Sequence, residues 1–138
     1  MEKEGRKIVI FLCTGNSARS QMAEGLMDYL RGNEFEVYSA GTEPKRIHPL
    51  AIEVMAEIGI DISAQRSKHL DEYLNKNFDY IITLCDHAAK TCLLFPGPGE
   101  RIHRGFPDPA AVEGTEEQRL EMFRKVRDQL KEFIRSFP

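Results

Sequence analysis

The stretch Cys13-Thr14-Gly15-Asn16-Ser17-Ala18-Arg19 sets a thiol six residues ahead of a guanidinium, with Ser20 directly after. These residue types suit anion chemistry. A loop that opens a helix turns backbone N–H groups toward an anion, and the helix dipole adds to the field. Gly15 is the residue expected to give the loop its backbone freedom. Arg19 can hold two oxyanion oxygens at once, which lysine cannot do in the same geometry. The same positive field is expected to lower the pKa of Cys13, and the thiolate is the reactive form. The hydroxyl of Ser20 is placed to hydrogen-bond the sulfur. The plainer reading is a buried structural cysteine at a strand end.

Two further cysteines, Cys85 and Cys92, have six residues between them. That is not the C-x2-C of a zinc knuckle or a thioredoxin motif. They are free thiols, metal ligands, redox partners or two buried core residues, since unpaired cysteine is often fully buried. Asp108 precedes Pro109. It is either an acid that protonates a departing oxygen or an ordinary turn residue. His48, His69, His87 and His103 show no metal-ligand spacing and read as solvated surface. His87, between the two cysteines, is placed to tune a thiol by its charge.

These residues need elements to hold them. Lys7–Cys13, "KIVIFLC", is a continuous apolar run rich in β-branched residues and reads as a strand buried on both faces. Ser20 is the expected cap of a helix over Gln21–Arg31, with Met22, Leu26 and Leu30 at helical spacing. A strand is expected over 35–41 ("FEVYSAG"), and a helix from Pro49 to Ile58 that stops at Gly59. A short helix is expected around Leu70–Lys76, and a buried strand over 80–85 ("YIITLC") that ends on Cys85. Residues 86–92 read as a short helix or mobile loop, 101–106 as a fourth strand and 107–115 as loop. Thr115 and Gln118 fit a capping box for a last helix with Leu120, Phe123, Val126, Leu130, Phe133 and Phe137 on one face. The charges of that helix read as its solvated face.

Strands alternating with helices imply an α/β sandwich with a small parallel sheet. Ligands bind such sheets beyond the carboxyl ends of the strands, the edge to which both "FLC" and "TLC" lead. The 138 residues suit one domain over the whole chain, 1–138. A formal net charge of -3 argues against a nucleic-acid partner. No apolar run approaches the roughly 20 residues that span a bilayer. The charged start "MEKEGRK" lacks a signal pattern, and an odd cysteine count argues against a disulfide framework, so the cytoplasm is expected.

The loop "CTGNSARSQMAEG" (13–25) resembles that of the thioredoxin-coupled arsenate reductases built on the low-molecular-weight protein tyrosine phosphatase fold. "VYSAGT" (37–42), "IGIDIS" (58–63), "TLC" (83–85), "DPA" (108–110) and "GTEEQR" (114–119) match in the same order, so the resemblance spans nearly the whole chain. It implies a three-layer sandwich with a four-stranded parallel sheet flanked by helices. It implies that residues Thr14, Gly15, Asn16, Ser17, Ala18 and Arg19 cradle a tetrahedral oxyanion, arsenate or its analogue phosphate. Cys13 is then the nucleophile, Arg19 the clamp, Asn16 the residue holding the loop, Ser20 the group stabilising the thiolate and Asp108 the general acid.

The resemblance also implies a thiol relay. Cys85 attacks the arseno-cysteine at Cys13, Cys92 resolves the resulting disulfide, and thioredoxin reduces the final Cys85–Cys92 bond. No cofactor and no metal are implied, and a monomer is expected, in arsenic detoxification. Two other readings stand beside this one. The first is a phosphatase working through a phosphocysteine, with incidental cysteines. The second is a non-catalytic thiol module that binds arsenite. Ala110, Ala111 and Val112 follow Pro109 where the similar tyrosine phosphatases place aromatics, which favours a small oxyanion. Ala18 stands where many reductases have a further cysteine. Lys68 stands where some relatives have an Asp that joins the positions of Asn16, Glu24 and Ser39 around potassium. Either its ammonium reaches those same oxygens, or it faces solvent as most lysines do.

Overall fold

The structure is a computed structural model that describes residues 5–86 and 95–137. Four parallel strands, β1 (Lys7–Cys13), β2 (Phe35–Gly41), β3 (Tyr80–Thr83) and β4 (Glu100–His103), lie in the order β2-β1-β3-β4. The central strand β1 is buried on both faces, as its unbroken apolar run requires. Val9 and Phe11 face one side, Ile10 and Leu12 the other, all at 0–1% exposure. Each such side chain contributes about 1.5–3 kcal/mol through burial.

Three helices, α1 (Arg19–Arg31), α2 (Pro49–Glu57) and α3 (Glu116–Arg135), share the core on the Val9 and Phe11 face. On the other face, Ile10 and Leu12 meet Phe78, Phe95, Tyr38, Tyr73 and a single 3-10 turn over Leu70–Tyr73. The expected 80–85 strand ends at Thr83, so Cys85 lies two residues beyond it, and the fourth strand covers Glu100–His103. Of the expected 86–92 segment, only Asp86 lies among the described residues.

The capping box at Thr115 and Gln118 starts α3, whose buried stripe includes Leu120, Phe123, Val126, Leu130 and Ile134. One charge on this helix departs from the solvated reading. Arg127 is buried, and its Nη1 donates to Val54 O and Glu57 Oε1, both at 2.9 Å. Arg124 Nη2 reaches Glu57 Oε2 at 2.8 Å. The two arginines thereby tie α3 to the end of α2, and α2 opens beside the loop described next, where His48 N donates to Ser17 O.

Candidate active site

Cys13 ends β1 and Arg19 begins α1, leaving five residues for the loop. Its carbonyls point outward. Thr14 O accepts from Glu43 N, Gly15 O from Lys45 N and Ser17 O from His48 N, at 2.8–3.0 Å. In trans peptides the N–H lies opposite the C=O, so the inner side of the loop presents backbone donors. The residue that makes the turn is Asn16, at φ 47, and not Gly15, which has no positive φ. Asparagine tolerates this left-handed conformation better than most residues.

Asn16 is fully buried and fully used. Its Nδ2 donates to Ser20 Oγ at 2.8 Å and Ser39 Oγ at 2.9 Å. Its Oδ1 accepts from Gln21 Nε2 at 3.0 Å and from Lys68 N at 2.8 Å. Ser20 is therefore not a helix cap: it lies inside α1, whose N-cap is Ala18, and its hydroxyl joins the Asn16 network beside Cys13. Gly41 is opposite Cys13 in the β1–β2 register. A Cβ there would lie 2.5 Å from Thr14 O and 2.8 Å from Cys13 O, so only glycine lets the loop come this close.

Lys68 is buried at 6% exposure, against the solvent-facing reading. Its Nζ lies 3.3 Å from Glu24 Oε1, 3.3 Å from Ser39 Oγ and 2.7 Å from Arg66 O. Asn16 it meets through its backbone N–H rather than its ammonium. Ser39 Oγ in turn donates to Glu24 Oε1 at 2.5 Å.

Above the loop opens a cleft of about 660 Å³. Arg19 Nη1 donates to Phe106 O at 2.8 Å, its Nη2 lies 3.9 Å from Asp108 Oδ2, and its Nε is buried with no partner among the described residues. Asp108 is both turn residue and cleft residue. Its Oδ1 accepts from Ala110 N at 3.0 Å, capping a 3-10 turn over Pro109–Ala111, while the side chain borders the cleft.

Cys85 packs against Cys13, the two at 3% and 4% exposure. Thr14 Oγ1 lies 3.5 Å from Cys85 Sγ. The ladder continues past β3 to hold this approach: Leu84 N donates to Leu12 O at 3.0 Å and Phe106 N to Leu84 O at 2.9 Å. Cys85 alters the expected thiol chemistry. Its hydrogen bond to Cys13, followed by burial, pushes the Cys13 thiol up, and these outweigh the downward pull of Arg19 and Ser20. Cys92 and His87 lie outside the described residues.

The cleft also contains residues that the sequence did not mark: Lys45, His48, Asp86 and Phe106. His48 is not a solvated side chain. Its Nδ1 accepts from Leu50 N at 3.1 Å to cap α2, its ring packs 4.7 Å from that of Phe123, and burial lowers its pKa. The "HP" pair was the available signal, because a residue before proline at a helix start is the N-cap. His69 caps the Leu70–Tyr73 turn in the same way, and His103 bridges Thr83 and Asp86.

The sequence profile of the family described as low molecular weight phosphotyrosine protein phosphatase matches residues 8–138. An arsenate reductase of Halalkalibacterium halodurans is 49% identical over 132 residues, 96% of this chain and 95% of that one. The solved structure of an arsenate reductase in its oxidized state superposes with a TM-score of 0.80 at 36% identity, covering 93% of each chain. A thioredoxin-dependent arsenate reductase of Corynebacterium glutamicum superposes with a TM-score of 0.67 at 28% identity, over 98% of this chain and 63% of that one.

Proposed function

We propose that this chain, which belongs to the low molecular weight phosphotyrosine protein phosphatase family, reduces arsenate to arsenite through a thiol relay. The observation that carries the reading is the second thiol: Cys85 packs on Cys13 inside the oxyanion site. Hydrolysis of a phosphocysteine needs only one sulfur. Reduction of arsenic needs two electrons, and a neighbouring thiol supplies them.

The steps follow from the groups in the cleft. Arsenate binds against the inward N–H groups of 14–18 and the Arg19 guanidinium, where preorganised donors stabilise developing charge. Cys13 Sγ attacks arsenic while its proton passes to a bound arsenate oxygen; an S–As bond forms and one As–O bond breaks. Asp108 gives its proton to that oxygen, which leaves as water. Cys85 Sγ then attacks Cys13 Sγ, its proton passing to an oxygen of the departing arsenic group. An S–S bond forms, the S–As electron pair stays on arsenic, and As(V) leaves as As(III). Cys92 attacks Cys85, frees Cys13 and leaves a Cys85–Cys92 disulfide for thioredoxin to reduce.

A chain matched by relatives named arsenate reductase, one of them thioredoxin-dependent, supports this reading. So does the small side chain of Ala110 at the cleft, which leaves no aromatic wall after Pro109 for a phenol ring. The test is NADPH consumption with arsenate, thioredoxin and thioredoxin reductase. Turnover is expected for the unmodified protein and none for Cys85→Ser. Equal turnover by that variant would remove Cys85 from the relay, and no turnover by the unmodified protein would return the chain to the phosphatase reading.

A further inference from the structure

His103 joins two points on either side of Cys85. It ends β4, in register with Thr83 of β3. Its Nδ1 lies 2.8 Å from Thr83 Oγ1 and its Nε2 2.9 Å from Asp86 Oδ1. Facing a carboxylate, Nε2 carries its hydrogen. A neutral ring then accepts the Thr83 hydroxyl at Nδ1, and a charged ring donates to the same oxygen. Both protonation states satisfy both contacts. Thr83 is fully buried, so one arm is anchored in the sheet, while the Asp86 side chain is 94% exposed and held by the other. Gly105 leaves room for that carboxylate, since a Cβ there would lie 3.0 Å from Asp86 Oδ1.

We propose that His103 is a positioning residue for Cys85, fixing the turn that carries this thiol so that its sulfur stays against Cys13. The proposal rests on the reductase reading. Cys85 lies one residue past Leu84, whose backbone still pairs with Leu12 and Phe106, and one residue before Asp86, so the sheet holds its segment on one side and the His103 contact holds it on the other. A thiol displaced by about 1 Å from its line of attack loses rate steeply. Cys13 needs no such support, because β1 pairs on both sides and the Asn16 network holds its loop. The effect of His103 therefore falls on the disulfide-forming step and not on the first attack.

The experiment measures arsenite released in a single turnover without added reductant, beside hydrolysis of a small aryl phosphate. His103→Phe, which keeps a ring but loses both hydrogen bonds, is expected to slow arsenite release about tenfold. Its aryl phosphate hydrolysis should stay within about twofold, because that cycle uses no second thiol. Asp86→Ala, at an exposed position that folding tolerates, should slow arsenite release in the same direction. Asp86→Asn keeps an acceptor and should restore most of the rate. Unchanged arsenite release by both His103→Phe and Asp86→Ala would overturn this proposal and leave the reductase reading standing. Equal losses of both activities in His103→Phe would also overturn it, by showing a general structural role. If the unmodified protein releases no arsenite, the reductase reading and the proposal fall together.

Discussion

The backbone N–H of Lys68 donates to Oδ1 of Asn16 at 2.8 Å, while the ammonium of the same lysine reaches 3.3 Å to Glu24 and Ser39. One residue thus holds the positive-φ turn of the oxyanion loop directly from the main chain and, by way of Ser39, from the side chain. An ammonium has the unit charge of potassium and three donors for surrounding oxygens. Activity and melting temperature are expected to be the same in potassium and sodium at matched ionic strength. Lys68→Ala should cost about 3 kcal/mol, because it strands the Glu24 carboxylate in a mostly buried place. Thermal denaturation in the two salts checks both, and a potassium-specific stabilisation of the unmodified protein would contradict the lysine's role.

Both arsenate reduction and any phosphatase activity begin at one sulfur, so Cys13→Ser should abolish both. Arg19→Lys should lose at least about a hundredfold in kcat/KM, since its charge survives while the two-point grip does not. Steady-state assays with arsenate and with an aryl phosphate decide this, and near-normal turnover by either variant would remove the oxyanion loop as the site.

Cys92→Ser is expected to complete one turnover and stop as a Cys13–Cys85 disulfide, with aryl phosphate hydrolysis by the reduced protein nearly intact. Mass spectrometry after arsenate treatment identifies the product. Sustained reduction with thioredoxin would mean that a thiol other than Cys92 resolves the disulfide.

The upward push on the Cys13 thiol has a pH consequence. Above the ordinary thiol pKa, about 8.5, the unfolded chain has lost a proton that the folded Cys13–Cys85 pair retains. The stabilisation is therefore complete below that pH and declines as pH rises, by up to about 1.4 kcal/mol per pH unit for the one retained proton. Denaturant titrations between neutral and alkaline pH should show this fall, and Cys13→Ser should flatten it. Cys85→Ala removes the largest cause, so Cys13 should ionise at lower pH, as read by thiolate absorbance.

Two glycines of the site are expected to respond oppositely to alanine. At Gly15 the nearest atom to an added Cβ is 3.6 Å away, an ordinary contact, and Gly15→Ala should fold normally. At Gly41 the Cβ would strike backbone at 2.5 Å, so Gly41→Ala should destabilise by about 2 kcal/mol or more and weaken phosphate binding. Thermal melts with and without phosphate measure the pair.

What the sequence made legible was chemistry with a local signature. The Cys13–Arg19 spacing, the two-sided burial of β1 and the Thr115–Gln118 box each depend on residues close in the chain. Assignments within the loop went astray because the backbone had more than one solution: Asn16, and not Gly15, takes the left-handed turn, and Ser20 serves Asn16 rather than the helix end. Burial of Arg127 was hidden for another reason, and that of Lys68 was one of two readings, open only through the resemblance. Their acceptors come from distant segments, at Glu24, Ser39 and Arg66 for one and at Val54 and Glu57 for the other. No window along the chain contains those partners together. The same holds for His103, whose partners Thr83 and Asp86 lie across the sheet.

The parallel pairing of β1 with β3, continued from Leu84 to Leu12, sets two thiols side by side that are far apart in the chain. On the proposed chemistry, this fixes the kinetic order of reduction. A well-oriented internal nucleophile acts at an effective molarity of roughly 10⁵ M or more, far beyond any diffusing thiol. Arsenic is then reduced at a rate independent of external thiol, and only the return of the enzyme to its starting state depends on supply. When reductant runs short, the first equivalent of arsenite should still appear at full speed, and the protein should accumulate oxidised rather than arsenylated.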